Sequence, residues 1–299
     1  MKNVRYGNRT YEQLSESATH PMATHSLPFT QLAPGIGVGA PMPQDWRSLL
    51  DCPLLIMVGV TGVGKSTTLE KLAETRWHHT LLPDRRVLTD SLIIAYMQAL
   101  DGQPIQPIAD RKLRFEYTRR YRERFAGGMS HALTQLCVDP AQLGGNLIFD
   151  GLRGADEVTH AIQALPQARF VVLNAPDVVR VQRLLGRNDA FDQVGGSSTT
   201  LPSQMKVANF AMLGLPEASA LFNPTEEQHL LALVQQGAVS AHDLRAKLQI
   251  VMEERRNYDP TEAIAVLQSD VPARSLILDT TRYTPDEVAT HMRDFVENL

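Results

Sequence analysis

Apolar residues form four short runs along the chain, at 53–60 (PLLIMVGV), 146–150 (NLIFD), 169–174 (RFVVLN) and 275–279 (SLILD). Runs of this kind are typical of strands that are buried on both faces of a parallel sheet. A further short strand is predicted at 85–89 (RRVLT). Segments with apolar residues at helical spacing come after several of these strands, for example 65–76 after the run at 53–60 and 176–187 after the run at 169–174. Alternating strands and helices predict a three-layer α/β fold around a five-stranded, mainly parallel sheet.

Two segments depart from this alternation. Residues 1–48 are rich in Pro and Gly and show no sustained periodicity, which predicts an irregular N-terminal arm or a disordered one. Residues 188–271 begin with a Gly/Ser/Thr-rich stretch and continue with helical patterns, one of which starts at a capping box from Ser240 to Asp243. We therefore expect an α/β domain at 49–187 and 272–299 with a helical insertion at 188–271, serving as a lid or as an interaction subdomain.

The strand at 53–60 runs directly into a motif that binds phosphate in other proteins. Residues 59–66 read G-x-x-x-x-G-K-S, and a helical pattern follows. In such a P-loop the glycines turn backbone N–H groups toward an anion, and the helix N-terminus adds partial positive charge. Lys65 is expected to reach the β- and γ-phosphates and the Ser66 hydroxyl to bind Mg²⁺. The predicted nucleotide-binding residues are Gly59, Thr61, Gly62, Val63, Gly64, Lys65, Ser66 and Thr67.

Composition narrows the class of protein. The chain has 299 residues, 43% hydrophobic and 21% charged, as in ordinary globular proteins. No apolar run approaches the ~18 residues of a transmembrane helix, and the N-terminus lacks a signal peptide, so we expect a cytoplasmic protein without a membrane partner. Cys52 and Cys137 are too few for a disulfide framework or a zinc site. A net charge of −4 disfavours nonspecific nucleic-acid binding. The sequence is compatible with a homo-oligomer.

Two aspartates stand where predicted strands end. Asp150 closes the strand at 146–150, the position at which P-loop proteins hold Mg²⁺ directly or through water. The residue that follows is Gly151 rather than an acidic residue that could orient an attacking water, which favours phosphoryl transfer over hydrolysis. Asp90 follows the predicted strand at 85–89 and is either a carboxylate facing the phosphoryl acceptor or the N-cap of the next helix.

Arginines provide further candidates for phosphate recognition. Residues 111–124 form a basic helix, from which Arg114, Arg119 or Arg122 could bind an anionic substrate while the other basic residues face solvent. Arg183 and Arg187 lie four residues apart on a second helix and could neutralise charge on the transferred phosphoryl group, or could belong to an arginine stripe on the surface.

Taken in order, these motifs resemble those of P-loop kinases in the nucleoside-monophosphate-kinase-like group. The segment from Asp150 to Arg153 (DGLR) is similar to the Asp-Gly-Phe-Pro-Arg element of adenylate kinases, shortened by one residue, and to the Asp-Gly-(Val/Ile)-Arg of dephospho-CoA-kinase-like proteins. The segment from Arg183 to Arg187 resembles the arginines with which the lid segment of these kinases begins. The resemblance covers roughly 50–188 and 272–299 and implies a role for Arg153 at the substrate.

The sequence therefore predicts a P-loop NTPase fold that transfers phosphoryl groups from ATP, with Mg²⁺, to a small-molecule or nucleotide acceptor. Lys65, Asp90, Asp150, Arg183 and Arg187 are the predicted catalytic residues, and Ser66 and Asp150 are the predicted metal ligands. Two alternatives remain open. One is a nucleotide-dependent switch or ATPase whose insertion binds a partner. The other is a polynucleotide 5′-hydroxyl kinase that uses the basic helix against a phosphate backbone.

Overall fold

The computed structural model describes residues 27–186 and 207–297, and its centre is a parallel sheet. The strands of this sheet are β4 (Leu54–Val58), β5 (His79–Leu81), β7 (Asn146–Leu152), β8 (Ala168–Asn174) and β9 (Ser275–Asp279). Their spatial order is β5-β7-β4-β8-β9, and every neighbouring pair is parallel. Strand β4, which precedes the P-loop, lies in the middle, where the strand order reverses. The carboxyl edge at such a position is where open α/β sheets bind ligands.

Alternate side chains of the central strands enter different cores. Leu54, Ile56 and Val58 of β4 belong to the larger cluster of buried apolar residues. The intervening Leu55 and Met57 belong to a second cluster on the opposite face. Because successive side chains of a strand point to opposite faces, helices must cover both sides of this sheet. This arrangement confirms the predicted three-layer α/β fold.

The helices of the two outer layers follow from this division. On the second face lie α1 (Lys65–Glu74) and α11 (Pro285–Glu297), whose Leu72 and Met292 are fully buried. The larger cluster on the first face receives side chains from most of the remaining helices around the sheet. These are α2 (Arg85–Leu88), a π-helical turn (Thr89–Ile94), α3 (Ala95–Leu100), α4 (Arg111–Arg124), α5 (Met129–Leu133), α6 (Ala155–Ala164) and α10 (Pro260–Asp270).

The part of the predicted insertion that the structure describes, 207–271, is mostly helical. Helices α8 (Pro224–Gln235) and α9 (Ala241–Asn257) pack around buried Phe210 and share a core with α7 (Asp177–Leu185). In contrast, α10 carries Ala263 and Leu267 into the core beside the sheet. The segment is therefore fastened to the α/β domain at both ends. Within residues 27–186 and 207–297, no helix is long and apolar enough to cross a bilayer.

The predicted irregular arm is wrong for its described part, residues 27–48. It forms β1 (Thr30–Ala33), β2 (Ile36–Val38) and β3 (Arg47–Ser48), which join β6 (Leu136–Val138) in an antiparallel sheet ordered β1-β2-β6-β3. The glycines that suggested irregularity have local packing roles. A Cβ at Gly37 would lie 2.8 Å from the Phe29 ring, and that ring meets Trp46 edge-on at 5.2 Å. The absence of a side chain at Gly37 lets the aromatic pair pack against the strand.

The strand predicted at 85–89 is also wrong. Residues 85–88 are helical, because the Asp84 carboxylate caps their first turn by accepting hydrogen bonds from the N–H groups of Arg86 and Val87, both at 2.8 Å. The edge strand is instead β5, three residues that pair with β7 from His79 to Leu81. Asp90 consequently lies within a helix and not at the end of a strand.

Candidate active site

The phosphate-binding motif forms the turn between β4 and α1. Gly62 and Gly64 have φ of +87° and +102°, a conformation that residues with a Cβ rarely adopt. A Cβ at Gly62 would also come within 3.1 Å of the Arg180 carbonyl oxygen. The turn delivers the chain into α1 at Lys65, and the N–H groups of that first turn lack partners within the helix. Such a turn can bind phosphate through backbone N–H groups.

The Lys65 ammonium is folded over the loop. Its Nζ donates to the carbonyl oxygens of Gly59 at 2.7 Å and Val60 at 3.3 Å, and it lies 3.6 Å from Oδ1 of Asp150. Burial lowers the pKa of Lys65, the Asp150 carboxylate opposes this shift, and the positive charge of nearby Arg153 adds to it. A phosphate at this position would further stabilise the charged ammonium.

The predicted magnesium ligands have suitable chemistry. Asp150 lies near the end of β7, and its Oδ1 is buried with no hydrogen-bond partner, so it has a lone pair free for a metal. Ser66 is an exposed residue in the first turn of α1. No cluster of three or more His, Cys, Asp or Glu side chains forms a metal site in the described parts of the chain. Mg²⁺ needs no such cluster, because it is bound through one or two protein ligands, water and substrate phosphates. The residues present fit Mg²⁺.

Gly151 leaves no room for the acidic residue found beside the metal in many ATPases. A Cβ at this position would approach the Phe149 ring to 2.3 Å. The Gly151 carbonyl oxygen accepts a hydrogen bond at 2.7 Å from Nη1 of Arg85. Position 151 therefore holds backbone against a buried aromatic ring and carries no group that could orient water.

A cavity of about 330 Å³ opens on one side of the P-loop. It is lined by Gly64 and Thr67 of the motif and by Tyr283 and Val288 from the end of the chain. Arg183 lies at its wall and donates to Gly62 O at 3.3 Å, to Thr280 Oγ1 at 2.8 Å and to Thr280 O at 2.8 Å. The predicted Arg183 is therefore at the loop, whereas Arg187 lies outside the described residues.

A larger cavity of about 560 Å³, here called the arginine pocket, lies beside the end of β7. Six arginines line it together with apolar and polar residues from α4, α5 and the end of α9. Within the described residues, four of them pair with carboxylates. Arg85 binds Glu157 through both terminal nitrogens at 2.8 and 2.5 Å, and Arg114 lies 2.5 Å from Asp90. The other two pairs are Arg111 with Glu253 and Arg153 with Glu254. The six are Arg85, Arg86, Arg111, Arg114, Arg122 and Arg153.

The balance of charge in this pocket is positive. Burial opposes the charge on Arg85, but Glu157 outweighs it and holds the pKa of Arg85 above its usual value. Arg111 lies 3.6 Å from exposed Glu253 and 5.4 Å from the centre of the Phe115 ring. Arg122 has no ion-pair partner among the residues that the structure describes. A pocket with so many guanidinium groups suits an anionic ligand.

The structure separates the three arginines predicted on α4. Arg114 and Arg122 line the arginine pocket, whereas Arg119 does not. Arg119 pairs with Glu123 one turn along the helix at 2.5 Å, and each side chain is 58% exposed. Arg119 therefore lies outside the arginine pocket, since α4 turns this residue toward solvent.

Asp90 contacts the arginine pocket through its ion pair. It lies in the π-helical turn after α2, next to Thr89, which lines the pocket. Its Oδ1 is buried, with Arg114 Nη1 at 2.5 Å. The capping role considered for Asp90 belongs to Asp84, because Asp90 is inside the helical stretch. Asp90 therefore lies beside the arginine pocket, in a helical turn and not at the predicted strand end.

Glu254 is a residue of the site that sequence reasoning missed. It belongs to α9, is 6% exposed, and accepts hydrogen bonds from the backbone N–H and the hydroxyl of Thr61. Arg153 donates to the same carboxylate at 2.9 Å. The N–H group of Thr61, a predicted nucleotide-binding residue, therefore donates to a side chain that is 193 positions away in the sequence. No local pattern in the sequence marks this contact.

Comparisons with known proteins give only distant likenesses. No protein-family model matches the chain, and no curated protein matches it. A sugar kinase from Janibacter sp. has a TM-score of 0.33 and 15% identity, covering 82% of this chain and 95% of its own. A gluconokinase from Sinorhizobium meliloti has a TM-score of 0.34 and 11% identity, and the match covers 84% of this chain and 94% of the gluconokinase.

A shikimate kinase from Acinetobacter baumannii, solved in complex with shikimate, gives a TM-score of 0.32 and 14% identity, covering 83% of this chain and 94% of its own. TM-scores of this size carry no argument about this chain. The fold assignment is therefore based on the parallel sheet and P-loop of this chain, and the proposal about function is based on its side chains.

Proposed function

We propose that this protein is a P-loop kinase that transfers the γ-phosphoryl group of ATP, with Mg²⁺, to an anionic small molecule or nucleotide. The observation that carries the proposal is the placement of Arg153. This residue lines the arginine pocket, and it donates at 2.9 Å to the Glu254 carboxylate, which also accepts from the N–H group of Thr61 in the P-loop. A donor site for phosphate and a basic pocket for a second anion thus lie side by side. The resemblance to nucleoside-monophosphate-kinase-like proteins remains part of the proposal.

Each residue has a role in this reaction. The P-loop N–H groups and Lys65 bind the ATP phosphates, and Arg183 neutralises charge near the loop. Ser66 and Asp150 would hold Mg²⁺, which offsets the charge of the β- and γ-phosphates. The cavity beside Tyr283 and Val288 accepts the base of the nucleotide. Arg114, Arg122 and Arg153 hold the acceptor.

The transfer itself exchanges one bond for another. An acceptor oxygen bonds to the γ-phosphorus while the bond from that phosphorus to the β,γ-bridging oxygen breaks, and the electron pair stays on ADP. A phosphate or carboxylate acceptor loses no proton in this step. A hydroxyl acceptor must give up its proton, and Asp90, which pairs with Arg114 of the arginine pocket, would take it.

The test is transfer of label from γ-³²P-ATP with Mg²⁺ to small molecules from a cell extract, fractionated by anion exchange. The wild-type protein is expected to give a labelled small molecule that binds the exchanger, and Lys65→Ala is expected to give none while keeping its cooperative melt. Label found only in inorganic phosphate would favour the switch or ATPase. Label at the 5′ end of an added oligonucleotide would favour the polynucleotide kinase.

A further inference from the structure

The carboxylate of Glu254 joins the P-loop to the arginine pocket. Both of its oxygens accept from the Thr61 N–H, at 3.2 and 3.0 Å, and Oε1 accepts from the Thr61 hydroxyl at 2.5 Å. Arg153 Nη1 donates to Oε1 at 2.9 Å, and Arg180 Nη2 donates to Oε2. Every group that faces the carboxylate donates a hydrogen bond to it.

Of the two residues that Glu254 holds, one belongs to the P-loop and the other lines the arginine pocket. Thr61 follows Gly59 and Val60, whose carbonyl oxygens receive the Lys65 ammonium, so it lies on the lysine side of the loop. Arg153 lines the arginine pocket, and it shares the Glu254 carboxylate with Thr61, so the pocket and the P-loop meet at this side chain. A change in either residue would alter how the phosphate and the acceptor meet.

We propose that Glu254 is a positioning residue that fixes Thr61 and Arg153 for phosphoryl transfer, so that helix α9 is part of the active site. This inference rests on the proposed function. It gives helix α9 of the insertion a role other than the predicted lid or interaction subdomain. Displacing a reacting group by about 1 Å can lower a rate by about 10²-fold, and Glu254 prevents such a displacement.

An autoinhibitory role would require Glu254 to leave when ATP binds, and the surroundings of Arg180 argue against this. Arg180 is 1% exposed and has three hydrogen-bonding partners: Thr61 O, Asp177 Oδ1 and Glu254. Departure of Glu254 would remove a carboxylate from a buried guanidinium, which is strongly unfavourable. The two roles predict opposite effects when the charge of Glu254 is removed.

The experiment is a single-turnover measurement of MgATP hydrolysis by Glu254→Gln, with water as the acceptor so that the natural acceptor need not be known. The water oxygen bonds to the γ-phosphorus, the bond to the bridging oxygen breaks, ADP keeps the electron pair and solvent takes the proton. We expect the rate per folded molecule to fall about 10²-fold while the Kd for MgATP, measured by calorimetry, changes less than about threefold.

The control variant is Asp177→Asn. Asp177 belongs to the same buried network through Arg180 and Arg255, but contacts neither Thr61 nor Arg153. It is expected to lose thermal stability as Glu254→Gln does while keeping its hydrolysis rate within about twofold. The double variant Glu254→Gln/Arg153→Gln is expected to hydrolyse ATP about as fast as the slower of the two single variants. The effects should not add, because Glu254 acts through Arg153.

Unchanged or faster hydrolysis by folded Glu254→Gln would overturn the positioning role, and faster hydrolysis would indicate autoinhibition. If Glu254→Gln does not fold, Thr61→Val removes one donor and is expected to lower the rate about tenfold. An unchanged rate in that variant would overturn the role as well. Normal hydrolysis without transfer to any small molecule would count against the proposed function alone, since the comparison of variants in water would still stand.

Discussion

Arg122 and Arg119 lie three residues apart on α4 and have different surroundings. Arg122 lines the arginine pocket and has no ion-pair partner in the described parts of the chain. Arg119 is paired with Glu123 on the solvent side. The two residues therefore form a matched pair, in which the same change of charge on the same helix should affect the acceptor at one position only.

We predict that Arg122→Gln raises the KM for the acceptor by about 10- to 100-fold, since a hydrogen bond to a charged group contributes about 1.5–3 kcal/mol. The KM for ATP should stay unchanged, because Arg122 does not line the cavity beside the P-loop. Arg119→Gln should change neither constant by more than about twofold. Steady-state kinetics with both substrates varied tests this, and equal effects of the two variants would contradict it.

A second residue-scale prediction concerns Asp90→Asn. Its carboxylate holds Arg114, so its loss should lower kcat/KM for the acceptor by at least about tenfold, and by about 10²–10⁴-fold for a hydroxyl acceptor, where Asp90 would also serve as the base. The affinity for ATP should be unchanged. Transfer at the wild-type rate in a protein with a lowered melting temperature would show that the ion pair only supports the fold.

At the level of elements, the accuracy of sequence-based prediction depended on length and burial. Four sheet strands were predicted because each is a five- to seven-residue apolar segment, and the structure places β4, β7, β8 and β9 there. The edge strand β5 has only three residues, too short for any period, and four residues at 85–88 fit a strand as well as a helix. The Asp84 cap decided between them.

The cap at Asp84 gives an element-scale prediction. Asp84→Ala should lower the free energy of unfolding by about 1 kcal/mol, because two N–H groups of α2 lose their acceptor. Asp156→Ala is the control, since Asp156 lies in the first turn of α6, which has no side-chain cap. Its effect should stay below about 0.5 kcal/mol. Urea denaturation measures both, and equal losses would contradict the capping role.

At the scale of the whole molecule, the candidate site combines parts that are distant in sequence. The P-loop, Asp150, Arg153 and the basic helix were predictable because local motifs carry them. The contact between Thr61 and Glu254 was not, because it depends on how α9 packs against α7. That packing follows from tertiary burial around Phe210, and a single sequence gives no register for it.

The stability of the whole molecule should also depend on pH through the Tyr121–His131 pair. Burial, together with nearby His160, lowers the pKa of His131 to about 4. In the unfolded chain a histidine has a pKa of about 6.5. Between these values the unfolded state binds more protons, so stability is complete above the unfolded pKa and is lost as the pH falls toward 4.

We predict that the free energy of unfolding falls by about 1 kcal/mol between about pH 7 and 5. This value allows for the partial exposure of the His131 ring. His131→Asn should weaken this pH dependence while keeping a partner for the Tyr121 hydroxyl. His242→Asn, at an exposed position on α9, should leave it as in the wild type. The measurement is the midpoint of urea denaturation at the two pH values. The same change of midpoint with pH in all three proteins would contradict the role of His131.

The central claim is that phosphoryl groups pass from ATP to an anionic acceptor, and the balance of products tests it most directly. With MgATP and the acceptor fraction present, ADP and inorganic phosphate are quantified in the same reaction. A kinase forms ADP in equal amount to the phosphorylated acceptor, with little inorganic phosphate, and Lys65→Ala forms neither product. Inorganic phosphate equal to ADP, whatever the acceptor concentration, would contradict the account.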